Sequence, residues 1–340
     1  MFAPDLCSKS AAWQELAKID DPELKELATL LPTVVFSGRA PSTVKKYSSA
    51  FLRWKKWLTQ KFEVDCCPAK PLQVSLYLTF LITKSFTSAP VEEAVNAISW
   101  AHQIACTDDP TQSEMVKQVL AGAKRMLVHK TTKKEPITPE ILSHLADRFA
   151  GVEADLDDVR VITWCLIGFA GFLRYSELVA LRESDVCIFP QHMEIFIESS
   201  KTDQYRDGAW VVVARTTTKI CPVKMTERYI SLGEISGSPD LQFFRGIIRT
   251  KNGVKLRRNG GLSYTRMREL LLEKLEAIGL NPKLYGLHSL RAGGATAAAN
   301  AGVPDRLFKR HGRWRSENAK DGYVKDSLAN RLSVTKDMGL

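Results

Sequence analysis

The chain has little that would anchor it in a membrane. Its long uncharged run, Val161–Leu173, is shorter than the roughly 20 apolar residues that span a bilayer, and reads as a buried helix. The first ten residues, MFAPDLCSKS, lack the charged start and apolar stretch of a secretory leader, so an intracellular protein is expected. Cysteine is sparse and unpaired in pattern. There are seven, an odd number, none in a CxxC pair, and Cys66 and Cys67 are adjacent. That excludes a disulfide framework and the usual tetrahedral metal spacing, and reduced thiols are expected. There is no GxxxxGK[ST] loop for a nucleotide, no cluster of carboxylates of the kind two-metal nucleases use, and no internal repeat or low-complexity tract. No cofactor, metal or nucleotide is therefore expected.

What the chain does have is positive charge. The formal net charge of its 340 residues is +10 and the isoelectric point about 9.2, which points to a polyanionic partner, most often nucleic acid. The charge is gathered. Between Leu241 and Arg268 there are eight basic residues and no acid: Arg245, Arg249, Lys251, Lys255, Arg257, Arg258, Arg266 and Arg268. Between Ser42 and Phe62 stand Lys45, Lys46, Arg53, Lys55, Lys56 and Lys61, again without an acid. Either run alone could be a solvated face; together they could neutralise phosphates along a duplex.

Length alone suggests about two domains. Residues 1–35 read as a loosely held tail with one short helix, Pro22–Leu30. Residues 36–130 read as an all-helical unit. Its first helix starts at Ser42 after Pro41 and carries Tyr47, Phe51, Trp54 and Leu58 on one face and the basic run on the other. Further helices are expected over Pro71–Lys84, Val91–Ile104 and Ser113–Val128. The string HKTTKKEP, His129–Pro136, has no apolar residue, and residues 131–136 are read as a linker. Residues 137–340 form the second unit. Helices are expected at Thr138–Ala150, Leu156–Phe172, Pro222–Leu232, Ser263–Ile278, Ser289–Ala301 and Pro304–Lys309. A small antiparallel sheet is expected from Val186–Ile188, Glu194–Ser199 and Trp210–Ala214. The class is mainly α with a small antiparallel β-sheet.

Several polar residues stand in unusual places. Arg174 ends the long apolar run, with Glu177 three residues on; alone this is a structural ion pair. Lys201 sits at a hairpin tip, where lysines are commonly just solvated. His288 and Arg291 share a helix face ahead of Ala292, Gly293, Gly294 and Ala295, small residues that permit close packing. Trp314 precedes Tyr323 by nine residues, and a lone tyrosine is ordinarily a packing residue. The ordered set is far more specific than its members. Arg174, Lys201, His288-x-x-Arg291, Trp314 and Tyr323 follow one another as in the tyrosine recombinase (phage integrase) family, and residues 40 to 330 resemble it throughout. Glu177 matches the acid that commonly follows the first arginine. The strings KTDQYRDG and KRHGRWRS also resemble recombinases of eukaryotic mobile elements, the DIRS-type and Crypton-type enzymes. Most family members have a histidine where Trp314 stands, though tryptophan is within the pattern. His311, twelve residues before Tyr323, is off register and reads as a structural residue or a phosphate contact.

The resemblance implies a helical, SAM-like core-binding domain joined to a mixed α/β catalytic domain, closing as a C-shaped clamp on double-stranded DNA. It implies a metal-independent site-specific recombinase, active in DNA integration or other recombination through a 3′-phosphotyrosyl intermediate. Arg174, Arg291, Trp314 and His288 would bind the phosphate, Lys201 would protonate the leaving oxygen and Tyr323 would attack. Phosphate contacts would come from Lys45, Lys46, Arg53, Lys55 and Lys56, and from Lys251, Lys255, Arg257, Arg258, Arg313 and Arg315. A homotetramer on two DNA sites is implied, with Leu328, Leu332 and Val334 of the C-terminal helix docked on a neighbour. Location would be nuclear for a eukaryotic source and cytoplasmic otherwise. Alternatives are a type IB topoisomerase or telomere resolvase, a domesticated DNA-binding protein without catalysis, and a basic scaffold for another anion such as RNA.

Overall fold

A computed structural model describes residues 11–128, 133–199, 207–251 and 253–338. The chain divides into two compact units, 1–132 and 133–340.

The first unit is helical: α1 (Pro22–Ser37), α2 (Pro41–Phe62), α3 (Pro71–Lys84), α4 (Ala89–Ile104) and α5 (Glu114–Met126). A proline within the first two positions of α1 to α4 starts each helix where its missing N–H costs nothing. The apolar face of α2, with Phe51, Trp54 and Leu58 buried, packs with Val74, Tyr77 and Leu78 of α3 and Val91, Ile98 and Trp100 of α4. His102 of α4 is fully buried. Its Nδ1–H donates to the Ile98 carbonyl at 2.7 Å, and its Nε2 accepts from the Ala69 N–H at 2.9 Å, tying α4 to the segment before α3.

The N-terminal segment departs from expectation. The helix expected to end at Leu30 runs through Pro32 to Ser37. Val35, Phe36 and Trp13 pack on the core of the unit, and Trp13 Nε1–H donates to the Ile104 carbonyl at 2.6 Å. From Trp13 onward it is part of the unit rather than a loose tail.

The second unit is built around α7 (Leu156–Ala170), buried along nearly its whole length. Around it lie α6 (Pro139–Phe149), α8 (Tyr175–Ala180), α9 (Pro222–Leu232), α10 (Tyr264–Ala277) and α11 (His288–Asn300). Strands β1 (Val186–Ile188), β2 (His192–Ile197) and β3 (Ala209–Ala214) form an antiparallel sheet in the order β1-β2-β3. Met193, Ile195, Ile197, Val211 and Val213 alternate inward, while Trp210 and Val212 face out. The segment read as part of a linker is bound to this unit. The Glu135 N–H donates to Leu284 O at 2.8 Å and the Ile137 N–H to Ser289 O at 2.9 Å. Residues 129–132 lie outside the described residues.

Two glycines set the position of α11. A Cβ on Gly293 would stand 1.9 Å from the Ile137 carbonyl oxygen, and one on Gly294 2.0 Å from that of Phe169. The small-residue string thus lets α11 lie against the end of α7. The basic stretch from Leu241 onward was not expected to be β-structure, yet it holds the hairpin β4 (Arg245–Thr250) and β5 (Gly253–Gly261). Val254 and Leu256 pack on the core, so Lys255 and Arg257 between and beyond them face solvent. The chain closes with α12 (Asp305–Gly312), α13 (Glu317–Asp321) and α14 (Leu328–Lys336).

Candidate active site

The turn after α7 and the loop after α12 meet beneath the first turn of α11. Phe172 takes the left-handed conformation, φ 49°, and directs its carbonyl inward. Arg174 follows at the start of α8. The buried Glu177 carboxylate accepts from the Arg174 backbone N–H at 2.8 Å and from its guanidinium at 2.7 Å. The ion pair read from the spacing of three is present, and it is one part of a larger cluster.

Arg291, in the first turn of α11, is fully buried. Its Nη1 donates to the Phe172 carbonyl and its Nη2 to the Gly312 carbonyl. Its guanidinium carbon lies 4.8 Å from the Trp314 ring centre and 5.0 Å from that of Tyr323. Burial, together with the charges of Arg174 and Arg313, pulls its pKa below the usual arginine value, with Glu177 and Tyr323 opposing. Burial would raise the carboxyl pKa of Glu177. Arg313, the Arg174 backbone N–H, and the charges of Arg174 and Arg291 outweigh it and hold the group below its ordinary value. Glu177 therefore stays a carboxylate, and the second oxygen lies 3.9 Å from Arg291.

Trp314 is 5% exposed, packed among Phe172, Phe308 and Tyr323. Its indole Nε1–H has no hydrogen-bond partner among the described residues. Its ring lies over Gly312, where a Cβ would stand 2.0 Å from the indole. A buried donor without an acceptor costs about 1–3 kcal/mol, and this one lies beside Arg291 and Tyr323.

Tyr323 is half-buried, its ring 5.8 Å from that of Trp314. It is held by its own chain. Thr296 of α11 donates to the Tyr323 carbonyl at 3.3 Å and accepts from the Lys325 N–H at 3.1 Å. Just before it, Lys320 of α13 pairs with Asp305 and with Glu317 at 2.5 Å, pinning α13 to the start of α12.

His288 is exposed at the start of α11. Lys201 lies outside the described residues. His311 is taken up structurally: its ring donates to the Ala170 carbonyl at 2.7 Å and stands edge-on to Phe172, and burial lowers its pKa. Arg313 departs from the expected phosphate contact. It is 9% exposed at its side chain, and donates to Glu177 at 3.0 Å and to the Gly171, Phe172 and His311 carbonyls. The left-handed Arg313 backbone after Gly312, φ 57°, accompanies this inward placement. Its neighbour Arg315 is exposed. The sequence named Arg313 as a phosphate contact and gave no inward role to it, nor any to Thr296; the only hint was an arginine directly after a glycine at a helix end.

On the remaining basic residues, Lys45, Lys46, Arg53 and Lys56 of α2 are exposed and Lys55 partly so. Lys46 and Arg53 are paired with Glu93 at 3.1 and 2.6 Å. Lys251, Lys255, Arg257 and Arg258 are exposed on the hairpin.

No protein-family model matches the chain. It is 29% identical over 305 residues to a protein described as an integrase/recombinase XerD homolog from Selenomonas ruminantium, covering 87% of this chain and 86% of that one. It is 23% identical over 286 residues to the Cre recombinase of Escherichia phage P1, covering 76% and 77%. Among solved structures, the XerH site-specific recombinase bound to its palindromic difH substrate superposes with a TM-score of 0.63 at 12% identity, over 100% of this chain and 94% of that one. That last likeness speaks for the fold.

Proposed function

We infer that this chain, a tyrosine recombinase by sequence relationship and fold, cuts and rejoins duplex DNA through a covalent bond between Tyr323 and a 3′ phosphate. The observation that carries the site assignment is the idle, buried Trp314 N–H beside Arg291 and Tyr323. A phosphodiester resists attack because its anionic oxygens repel a nucleophile. Arg174 and Arg291 offer paired donors to the non-bridging oxygens, and Trp314 a donor that cannot titrate. The Tyr323 oxygen bonds to phosphorus as the bond to the 5′ oxygen breaks. His288 takes the phenol proton, and Lys201, on the family pattern, returns a proton to the 5′ oxygen. One phosphate ester replaces another, so rejoining needs no energy source. Lys45 and Lys56 of α2 and Lys251, Lys255, Arg257, Arg258 and Arg315 supply phosphate contacts that position the duplex without reading bases.

Assembly on two DNA sites as a tetramer is part of this proposal. The second unit carries an apolar groove of about 720 Å³ lined by Phe172, Trp210, Val212, Ala298, Leu307 and Phe308. On α14, Leu328, Leu332 and Val334 are 70%, 43% and 64% exposed. A helix of that kind from a second copy suits the groove.

The test is a duplex selected from a randomised pool by binding to the full chain, then nicked near the selected site so that the short fragment diffuses away. Incubated with EDTA and run on a denaturing gel, the wild type is expected to yield a protein–DNA band that Tyr323→Phe lacks. Tight binding with no band would leave a DNA-binding protein that keeps the fold without the chemistry.

A further inference from the structure

We propose that Arg313 is a positioning residue for this reaction, a buried clamp that fixes the loop bearing Trp314 to the turn bearing Arg174 and keeps Glu177 from neutralising Arg291. The inference rests on the recombinase reading of the site. Three guanidinium groups converge on one carboxylate. Arg174 takes one oxygen of Glu177 at 2.7 Å, Arg313 takes the other at 3.0 Å, and Arg291 stands 3.9 Å from that second oxygen. These four side chains carry an excess of two positive charges, and only Arg291 lacks a close contact with the acid. It is thereby left with unspent charge for an incoming phosphate.

The same guanidinium is a mechanical link. Nη1 donates to Gly171 O at 3.2 Å and His311 O at 2.9 Å; Nη2 donates to Phe172 O at 3.2 Å besides Glu177. Phe172 O also receives Arg291. One carbonyl therefore sets the heights of Arg291 and Arg313 together, and the residue after Arg313 is Trp314. Only a planar fork reaches four acceptors on two segments at once; a lysine reaches fewer. With Arg313 removed, the second Glu177 oxygen keeps only the Arg174 backbone N–H and loses the guanidinium that competes with Arg291 for it, and the Trp314 loop loses its tie to the turn. Misplacement of a catalytic group by about 1 Å costs on the order of 100-fold in rate.

Single-turnover cleavage of the nicked duplex by the full chain separates the possibilities, read as a rate constant and an amplitude beside DNA affinity at several salt concentrations. Arg313→Gln is expected to lower the rate constant about 100-fold and leave affinity and its salt dependence unchanged. Arg313→Lys is expected to recover part of the rate. In a Glu177→Gln background, Arg313→Gln is expected to cost little more, because both act on the same groups. A merely structural role would shrink the amplitude through loss of folded protein and leave the rate constant alone. A direct phosphate contact would instead weaken binding and reduce the salt slope by about 0.9. Either result overturns the proposal, as does full additivity of the two substitutions. If Arg313→Gln does not fold, the rate constant of Arg313→Lys decides: equality with wild type overturns the proposal. A wild type that forms no covalent complex removes the recombinase reading and this inference with it.

Discussion

Replacing Trp314 by Phe separates what the indole does for the fold from what it does for the chemistry. The Nε1–H is buried without a partner among the described residues, which costs about 1–3 kcal/mol. Phenylalanine removes that cost. It also leaves a void of roughly 40 Å³, worth about 1 kcal/mol at 24 cal/mol per Å³, and forfeits a similar amount of burial. The two sides nearly cancel, so the unfolding free energy should change by no more than about 1 kcal/mol. Catalysis has no such compensation. Loss of a donor aimed at developing negative charge typically costs about 100- to 1000-fold, or about 2.7–4 kcal/mol. Urea unfolding and single-turnover covalent-complex formation, measured on the same preparation, give both numbers. Trp314→His returns a ring N–H and should recover much of the rate. A Phe variant that cleaves within threefold of wild type would falsify the assignment of the idle donor to the phosphate. One destabilised by several kcal/mol would show that the indole N–H has a structural partner after all.

Because Thr296 and Arg291 hold Tyr323 within one chain, cleavage should occur in cis. Mixing Tyr323→Phe with Arg291→Lys should yield no covalent complex, and a complex formed only in the mixture would show that the tyrosine is donated across protomers. Acid should weaken the first unit through His102, whose pKa burial lowers below 6.5, against the opposing effects of its Ile98 bond and Asp109. The folded form favours the neutral ring, so this contribution is present above the unfolded pKa of 6.5 and is lost as pH falls below it. Urea unfolding of wild type and His102→Gln at pH 8 and pH 5 should show the smaller pH effect in the variant, and equal effects would sink the idea. On the hairpin, Lys255→Ala combined with Arg257→Ala should reduce the slope of log affinity against log salt by about 1.8, with cleavage at saturating DNA little changed. An unaltered slope would place those side chains off the duplex.

The helices were legible wherever one face is apolar and a proline or capping residue opens the helix, as in α2 and α3. The three-stranded sheet was legible because β2 and β3 alternate cleanly between core and solvent. The hairpin β4–β5 was not, since only Ile247, Val254 and Leu256 pack on the core among basic residues and glycines, and charge density hides so short an alternation. The extent of α1 was missed because an exposed helix can pass through a proline when its far end is anchored, here by Phe36 against Trp100 at 5.8 Å. In the site, the order of Arg174, Arg291, Trp314 and Tyr323 could be read by its resemblance to a family pattern, and the structure brings these four side chains together. The inward course of Arg313 could not. It depends on a left-handed backbone after Gly312 and on a carboxylate more than a hundred residues away, neither of which leaves a local trace.

Three guanidinium groups, Arg174, Arg291 and Arg313, crowd around the one Glu177 carboxylate, and the Trp314 indole N–H beside them has no acceptor among the described residues. Folding must bring these like charges together and bury that donor, and both weaken the domain at this point. Any small tetrahedral anion that sits there repairs both deficits, and its binding energy becomes unfolding energy. At a hundred times its dissociation constant such an anion adds about 2.7 kcal/mol. Inorganic sulfate or phosphate, with no DNA present, should therefore raise the unfolding temperature of the second unit, and should raise it less when Arg291 is replaced. The choice of buffer anion then sets how stable the protein is measured to be, and how strongly DNA must compete for its own site.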